Sequence, residues 1–158
     1  MLFLQFQIGA EAYVLDTARI IEVLPLVSVR PIPGLPTAVA GLFSYRGAVV
    51  PVIDLSELTL GRAARRRIST RVIVLRYGAR PLGVIAEQVT ATIDRDAADF
   101  TASGITSEAT PYLGPITRDG GRLIQWIEVD KLLPASVSRV LFREAGEPLW
   151  SSPESLPS

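Results

Sequence analysis

Gly41-Leu42-Phe43-Ser44-Tyr45-Arg46-Gly47-Ala48-Val49-Val50-Pro51-Val52-Ile53-Asp54-Leu55 is the stretch that decides the fold. Two apolar runs, 39–45 and 48–55, flank Arg46-Gly47, and a short turn between two extended runs is the signature of a β-hairpin. Gly47 suits a turn position that requires positive φ. Arg46 beside it sits at the hairpin tip. Residues 49–53 carry no charge and almost no polarity, the pattern of a strand covered on both faces. Asp54 follows where a helical turn is expected at 56–60, and its carboxylate is placed to cap that turn.

A second copy of this pattern lies downstream. Gly114-Pro115-Ile116-Thr117-Arg118-Asp119-Gly120 leads through Gly121 and an apolar strand to Glu128-Val129-Asp130-Lys131-Leu132. Gly41 and Gly47 have the same separation as Gly114 and Gly120, and Gly47 to Asp54 matches Gly121 to Glu128. Gly9-Ala10 and Gly78-Ala79 sit at matching turns further upstream. The offset is about 70 residues throughout, which indicates one duplication rather than a solenoid.

The remaining pattern is mostly β. Strands are expected at 2–8, 13–15, 20–24, 27–30, 71–77, 81–87 and 89–93, with a second hairpin at 112–117 and 122–129 and a closing strand at 137–142. Short helical turns fit 16–19 and 130–133. The segment 31–36 holds three prolines and disfavours helix, and 94–111 reads as a long polar loop. The fold class is therefore all-β with a few short helices. A unit of this size with four or five short strands suits a small barrel, because closing a sheet removes its exposed edges. Two such barrels would pack side by side.

Composition narrows the function by exclusion. The 158 residues are 48% hydrophobic and 20% charged, enough for a packed core. Sixteen basic and sixteen acidic residues balance, whereas nucleic-acid binders carry a basic excess. The chain has no cysteine and no histidine, so disulfides, thiolate sites and the commonest general base are missing. Lys131 is the single lysine. Phosphate-loop and dinucleotide glycine motifs are absent. Asp94, Asp96 and Asp99 are spaced loosely like calcium ligands but lack the glycine and glutamate of a calcium-binding hand. No catalytic residue, metal or cofactor is expected. The N-terminus lacks a basic signal-peptide region, and no run approaches the ~20 apolar residues of a spanning helix. Direct membrane insertion is not expected, and the chain reads as cytoplasmic.

Several residues keep two readings. Glu22, inside Ile20-Ile21-Glu22-Val23, is either an outward strand residue with its neighbours turned inward or an acid in a binding groove, where Arg46 is an available mate. Arg46 is either an ordinary turn residue or a guanidinium offered to a partner's carboxylates and carbonyls. The arginines between 62 and 67 form a solvated loop or a contact for nucleic acid or acidic lipid. The alternative of a small-barrel nucleic-acid-binding module needs a basic face and aromatic stacking residues. Phe3, Phe6, Tyr13, Phe43 and Tyr45 fit core or turn positions instead.

Three blocks carry a family likeness. They are Tyr13-x-Leu15-Asp16 through Ile20-x-Glu22-Val23; Pro31-x-Pro33 through Pro36, then Gly41 and Arg46-Gly47 to Asp54-Leu55; and Leu82-Gly83-Val84, then Gly114 through Gly120-Gly121 to Leu132-Leu133. Through them residues 3–133 resemble the CheW family of bacterial chemotaxis coupling proteins. The resemblance implies two five-stranded barrels within one domain, 1–143, intertwined so that roughly 15–85 form one and the remainder the other. Residues 144–158 would be a flexible C-terminal tail. It also implies a non-catalytic adaptor recruited to membrane receptor arrays. Its partners would be the regulatory domain of a CheA-type histidine kinase and the cytoplasmic tip of a chemoreceptor. Ile20, Glu22, Gly41 and Arg46 match positions associated with receptor binding, and Arg46 would lie near the groove between the barrels. Gly47, Asp54 and Gly120 keep structural roles as turns and cap. Tyr45, Gln125-Trp126, Glu128, the arginine-rich loop and the tail depart from the family pattern.

Overall fold

The decisive hairpin is β4 (Val39–Tyr45) and β5 (Ala48–Asp54), joined by Arg46 at φ 48° and Gly47 at φ 79°. Two successive left-handed residues make the tight turn whose twist matches that of paired strands. Its counterpart joins β8 (Leu113–Asp119) to β9 (Arg122–Ile127) through Gly120 at 57° and Gly121 at 85°. These come from a computed structural model that describes residues 1–105 and 107–142. The expected tail at 144–158 lies outside the described residues.

The other hairpins also repeat. β1 (Leu2–Ile8) turns at Gly9 into β2 (Glu11–Asp16), and β6 (Arg71–Tyr77) turns at Gly78 into β7 (Arg80–Asp94). Among the described residues the remaining strand is β3 (Ile20–Pro25), the α-helices are α1 (Leu55–Leu60) and α2 (Ala135–Leu141), and single 3-10 turns lie at Thr17–Arg19, Ala97–Asp99 and Val129–Lys131. β5 runs parallel to β7, with Val52 opposite Gly83, and β2 runs parallel to β9, with Ala12 opposite Ile124. β3 pairs with β6, and β1 pairs with the last part of β7. Each half of the chain thus lends strands to the other. One five-stranded sheet runs β3-β6-β7-β5-β4 and the second runs β7-β1-β2-β9-β8.

The shared strand β7 spans fifteen residues, where two separate strands were expected. Gln88 breaks its ladder at φ 50°, and Val89 N–H turns away to donate to Ser69 O at 3.0 Å. The strand changes sheets at this point.

Side chains alternate across each strand, so every sheet has two faces to bury. Phe43, Val50, Val52, Val72, Val74 and Ile85 pack on one face of the first sheet. Phe3, Ala12, Val14, Ile124 and the loop residue Phe100 pack on one face of the second. The opposite faces meet in the largest cluster, where Ile53, Ile73 and Leu75 face Leu4, Phe6 and Ile127. Burial on both faces explains the unbroken apolar runs at 50–53 and 72–75, while Val49 beside the turn stays 38% exposed.

Three further expectations fail. The barrels are not closed by backbone pairing: β3 and β4 remain edges of the first sheet, and β8 an edge of the second. The expected strand at 27–30 reduces to one bridge, Arg30 with Leu42. The expected closing strand at 137–142 is the helix α2, which begins after Pro134. Val137 and Leu141, four residues apart, both pack on the central core, a helical spacing that short apolar runs disguise.

Gly41 is fixed by crowding. Its φ is 144°, and a Cβ there would lie 2.0 Å from Arg30 O. The close approach lets Arg30 and Leu42 exchange hydrogen bonds of 2.7 and 2.8 Å along the free side of β4. Arg19 ties distant parts together, donating through Nη2 and Nη1 to both oxygens of Asp130 at 2.6 and 3.1 Å and to Arg76 O at 2.8 Å.

Gly41→Ala is expected to lower the urea midpoint by the equivalent of about 2–3 kcal/mol, and by clearly more than Gly34→Ala, where no atom lies within 4 Å of the added carbon. A second expectation concerns acid. The hydrogen bond from Arg19 holds the Asp130 carboxyl below its ordinary 3.8. The stability from this pair is present above the unfolded value and lost as pH falls through the folded one. Asp130→Asn should therefore destabilise at pH 6, and the difference from wild type should shrink below pH 4 in urea titrations.

Candidate functional site

The two edges of the first sheet, β3 and β4, share no backbone ladder. Side chains join them instead. A bulge in β3 sets Ile20 opposite Leu75 and Glu22 opposite Val74, leaving Ile21 as the extra residue. Without a bulge, Ile20 and Glu22 would share a face. With it, Ile20 packs against the central core, while Glu22 lies on the Val74 side. The reading of Glu22 as an outward residue with inward neighbours is therefore overturned. Ile21 and Val23 are each 38% exposed, and the Glu22 side chain is only 35% exposed.

Glu22 Oε1 accepts two hydrogen bonds from across the seam. Tyr45 Oη donates at 2.6 Å and Arg46 Nη2 at 2.8 Å. The Arg46 guanidinium also lies 5.3 Å from the Tyr45 ring centroid, a cation–π distance. The bond to Glu22 raises the Tyr45 hydroxyl above its ordinary pKa, because a phenolate there would face a carboxylate. The Arg46 side chain remains 72% exposed. An ion pair this wet contributes little to stability. Its effect is geometric, since two contacts from neighbouring residues restrict where the guanidinium points.

Arg46 borders a depression of about 440 Å³ whose lining includes Ile21, Tyr45, Arg76, Gly78 and Arg80. All of these belong to the first sheet or its hairpin turns, so this hollow lies on one sheet and not in the expected groove between barrels. Its lining carries three arginines and no carboxylate, over an apolar floor from Ile21, Ala48, Ala79 and Pro81. Such a surface can receive carboxylates, carbonyls and small apolar side chains of a partner.

The four residues singled out from the sequence do not converge. Glu22 and Arg46 touch. Gly41 serves the Arg30 bridge, and Ile20 faces the core. Asp54 does more than begin α1. Its Oδ1 accepts from Ser56 N–H at 3.0 Å and Glu57 N–H at 3.2 Å, while Oδ2 accepts from Ala64 N–H at 2.9 Å. Gly47 and Gly120 occupy their turns at positive φ.

Sequence reasoning missed Tyr45 as a donor, and it missed the second seam. There Arg95 Nη2 donates to Asp119 Oδ1 at 2.8 Å, and Thr101 and Ile116 exchange two bonds of 2.8 Å. The device repeats with its charges reversed: an acid on the edge strand and a base at the hairpin tip in the first sheet, a base just past the end of β7 and an acid at the hairpin tip in the second. The separation of Gly41 from Gly114, 73 residues, applied to Glu22 and Arg46, points to both. Asp94 meets the N-terminal ammonium at 3.3 Å and Asp99 accepts from Asp96 N–H at 3.1 Å, so these acids do not converge on one point. Among the described residues no acidic group could hold a metal ion, and no helix is long and apolar enough to cross a membrane. Phe3, Phe6, Tyr13 and Phe43 are buried, which leaves no aromatic platform among them.

Comparison with known proteins agrees with this architecture. The family model described as CheW-like domain matches residues 2–137. Chemotaxis protein CheW of Klebsiella aerogenes is 31% identical over 137 residues, covering 83% of this chain and 80% of that protein. Protein FrzA of Myxococcus xanthus is 27% identical over 144 residues, covering 89% and 90%. The solved structure of scaffolding protein TtCheW from Thermoanaerobacter tengcongensis shares the fold, with a TM-score of 0.77 at 23% identity over 86% of this chain and 89% of that one. A family match across most of the sequence, joined to the exchanged five-stranded sheets, establishes that the chain belongs to the CheW-like domain family.

Proposed function

We propose that this chain is a non-catalytic cytoplasmic adaptor that couples a chemoreceptor of the methyl-accepting type to a CheA-type histidine kinase. The observation that carries the receptor half is the exposed Arg46, held by Glu22 and backed by Tyr45 over a depression without carboxylates. A receptor's cytoplasmic tip is a helical hairpin whose turn offers carbonyls and side-chain amides or acids. A fixed guanidinium recognises such groups directionally. Arg46 would make the contact, and Glu22 would act by holding it in place. Ile20 and Gly41 would act indirectly, by setting the path of β3 and the crowding beside β4. The kinase half rests on family membership, and its partner would be the kinase regulatory domain. Recruitment to receptor arrays would follow from these two contacts.

Arg46→Glu should weaken binding to a receptor-tip fragment by at least about tenfold, because like charge would then face Glu22 and the partner's acceptors. Its circular dichroism and melting temperature should stay near wild type. Wild-type affinity in a calorimetric titration would sink the assignment. Tyr45→Phe removes one bond to Glu22 and keeps the ring. A loss of only a few-fold is expected in the same titration.

A further inference from the structure

The loop 61–70, with its four arginines, is not a loosely solvated segment. Asp54 Oδ2 accepts from Ala64 N–H and Glu87 Oε1 accepts from Arg65 N–H, both at 2.9 Å. Arg67 N–H is shared between Thr70 Oγ1 at 3.2 Å and Arg65 O at 3.1 Å, and Thr70 N–H donates to Arg67 O at 3.0 Å. The buried Thr70 hydroxyl donates to Arg65 O. Ser69 O takes the Val89 N–H where β7 changes sheets. The anchors reach α1, β5 and β7, so the loop backbone is fixed on both sides.

This fixing has a consequence for the charges. Arg62, Arg65 and Arg67 line one cavity of about 370 Å³, together with Gln7, Gly9, Ser56, Glu87 and Gln88. Arg66, between them in sequence, does not line it. None of the three lining guanidiniums has a carboxylate partner among the described residues. Three cations lining one space repel each other, and an anion in that space relieves the repulsion. The one lining carboxylate, Glu87, already accepts the Arg65 N–H. Guanidinium forks match phosphate oxygens in pairs, and Gln7, Gln88 and Ser56 supply neutral polar groups for the rest. The volume falls within the range of about 300–1,000 Å³ for small-molecule sites. No aromatic ring lines the cavity, so nothing would stack on a base. Gln88 itself sits at φ 50°, unusual for a residue with a side chain, at the point where β7 passes between sheets.

We propose that the Arg62–Arg65–Arg67 cavity binds a small phosphate-rich anion of the pyrophosphate class, bridging the arginine loop and the crossing point of β7. The site is separate from the Glu22–Arg46 seam, and it stands whether or not that seam binds a receptor.

The test is a calorimetric titration of the full chain with sodium pyrophosphate at low ionic strength. Saturable one-to-one binding is expected. Arg65→Ala and Arg67→Ala should each weaken it by at least about tenfold. Arg66→Ala, which removes the same charge one position away, should change it by less than about twofold. Thermal melts should match wild type, since the anchors of the loop are backbone groups. A parallel titration with ADP separates two sources of the same chemistry. Equal affinity points to the free anion, and tighter binding points to a nucleotide. No heat at about 1 mM pyrophosphate, or an equal loss in Arg66→Ala, would overturn the proposal. So would capture by phosphatidylcholine vesicles containing phosphatidylglycerol but not by pure phosphatidylcholine, without pyrophosphate binding, which would make the loop a lipid contact.

Discussion

Two five-stranded sheets share one long strand, and neither sheet closes on itself by backbone pairing. That open seam is the constraint on which the rest depends. An unpaired strand edge leaves peptide groups available to any other strand. In the first sheet the Arg30 bridge occupies part of β4, and Leu24, Leu26, Val27 and Val29 fill the apolar gap. The Glu22–Tyr45–Arg46 contact then joins the edges through side chains. In the second sheet Thr101 bridges β8, and Arg95 with Asp119 makes the joining contact.

Closing a seam with side chains rather than backbone would serve the proposed receptor contact. Backbone ladders bury their polar groups, whereas Arg46 stays largely in water while its position is set. A preorganised guanidinium loses less freedom when a partner arrives. The exchange of strands between the halves adds rigidity beneath it. β7 pairs with β6 and β5 at one end and β1 at the other, so the floor of the first sheet cannot shift without disturbing the second.

Local chemistry made much of this legible in the sequence. Arg46-Gly47 and Gly120-Gly121 identify their hairpins because few residues tolerate positive φ there. Asp54 identifies the start of α1 because a carboxylate before a helical turn has donors to meet. What the sequence hid was decided at long range. The bulge at Ile21 depends on the register of β3 against β6, and no residue in Ile20-Ile21-Glu22 announces it. The continuity of β7 depends on Gln88 taking a conformation usually left to glycine. α2 was concealed because 137–142 is too short for its period to separate from alternation. The Arg95–Asp119 contact was within reach, had the duplication been carried from glycines to charges.

The claim most open to direct test is that Glu22 acts on a partner through Arg46, by holding it across the seam. A double-mutant cycle on binding to a receptor-tip fragment measures this, using Glu22→Ala, Arg46→Ala and the pair. Positioning requires that losing Glu22 costs affinity when Arg46 is present and costs almost nothing once Arg46 is gone, a coupling of at least about 0.5 kcal/mol. If the two losses simply add, Glu22 and Arg46 contact the partner independently, and the seam does not organise the binding surface.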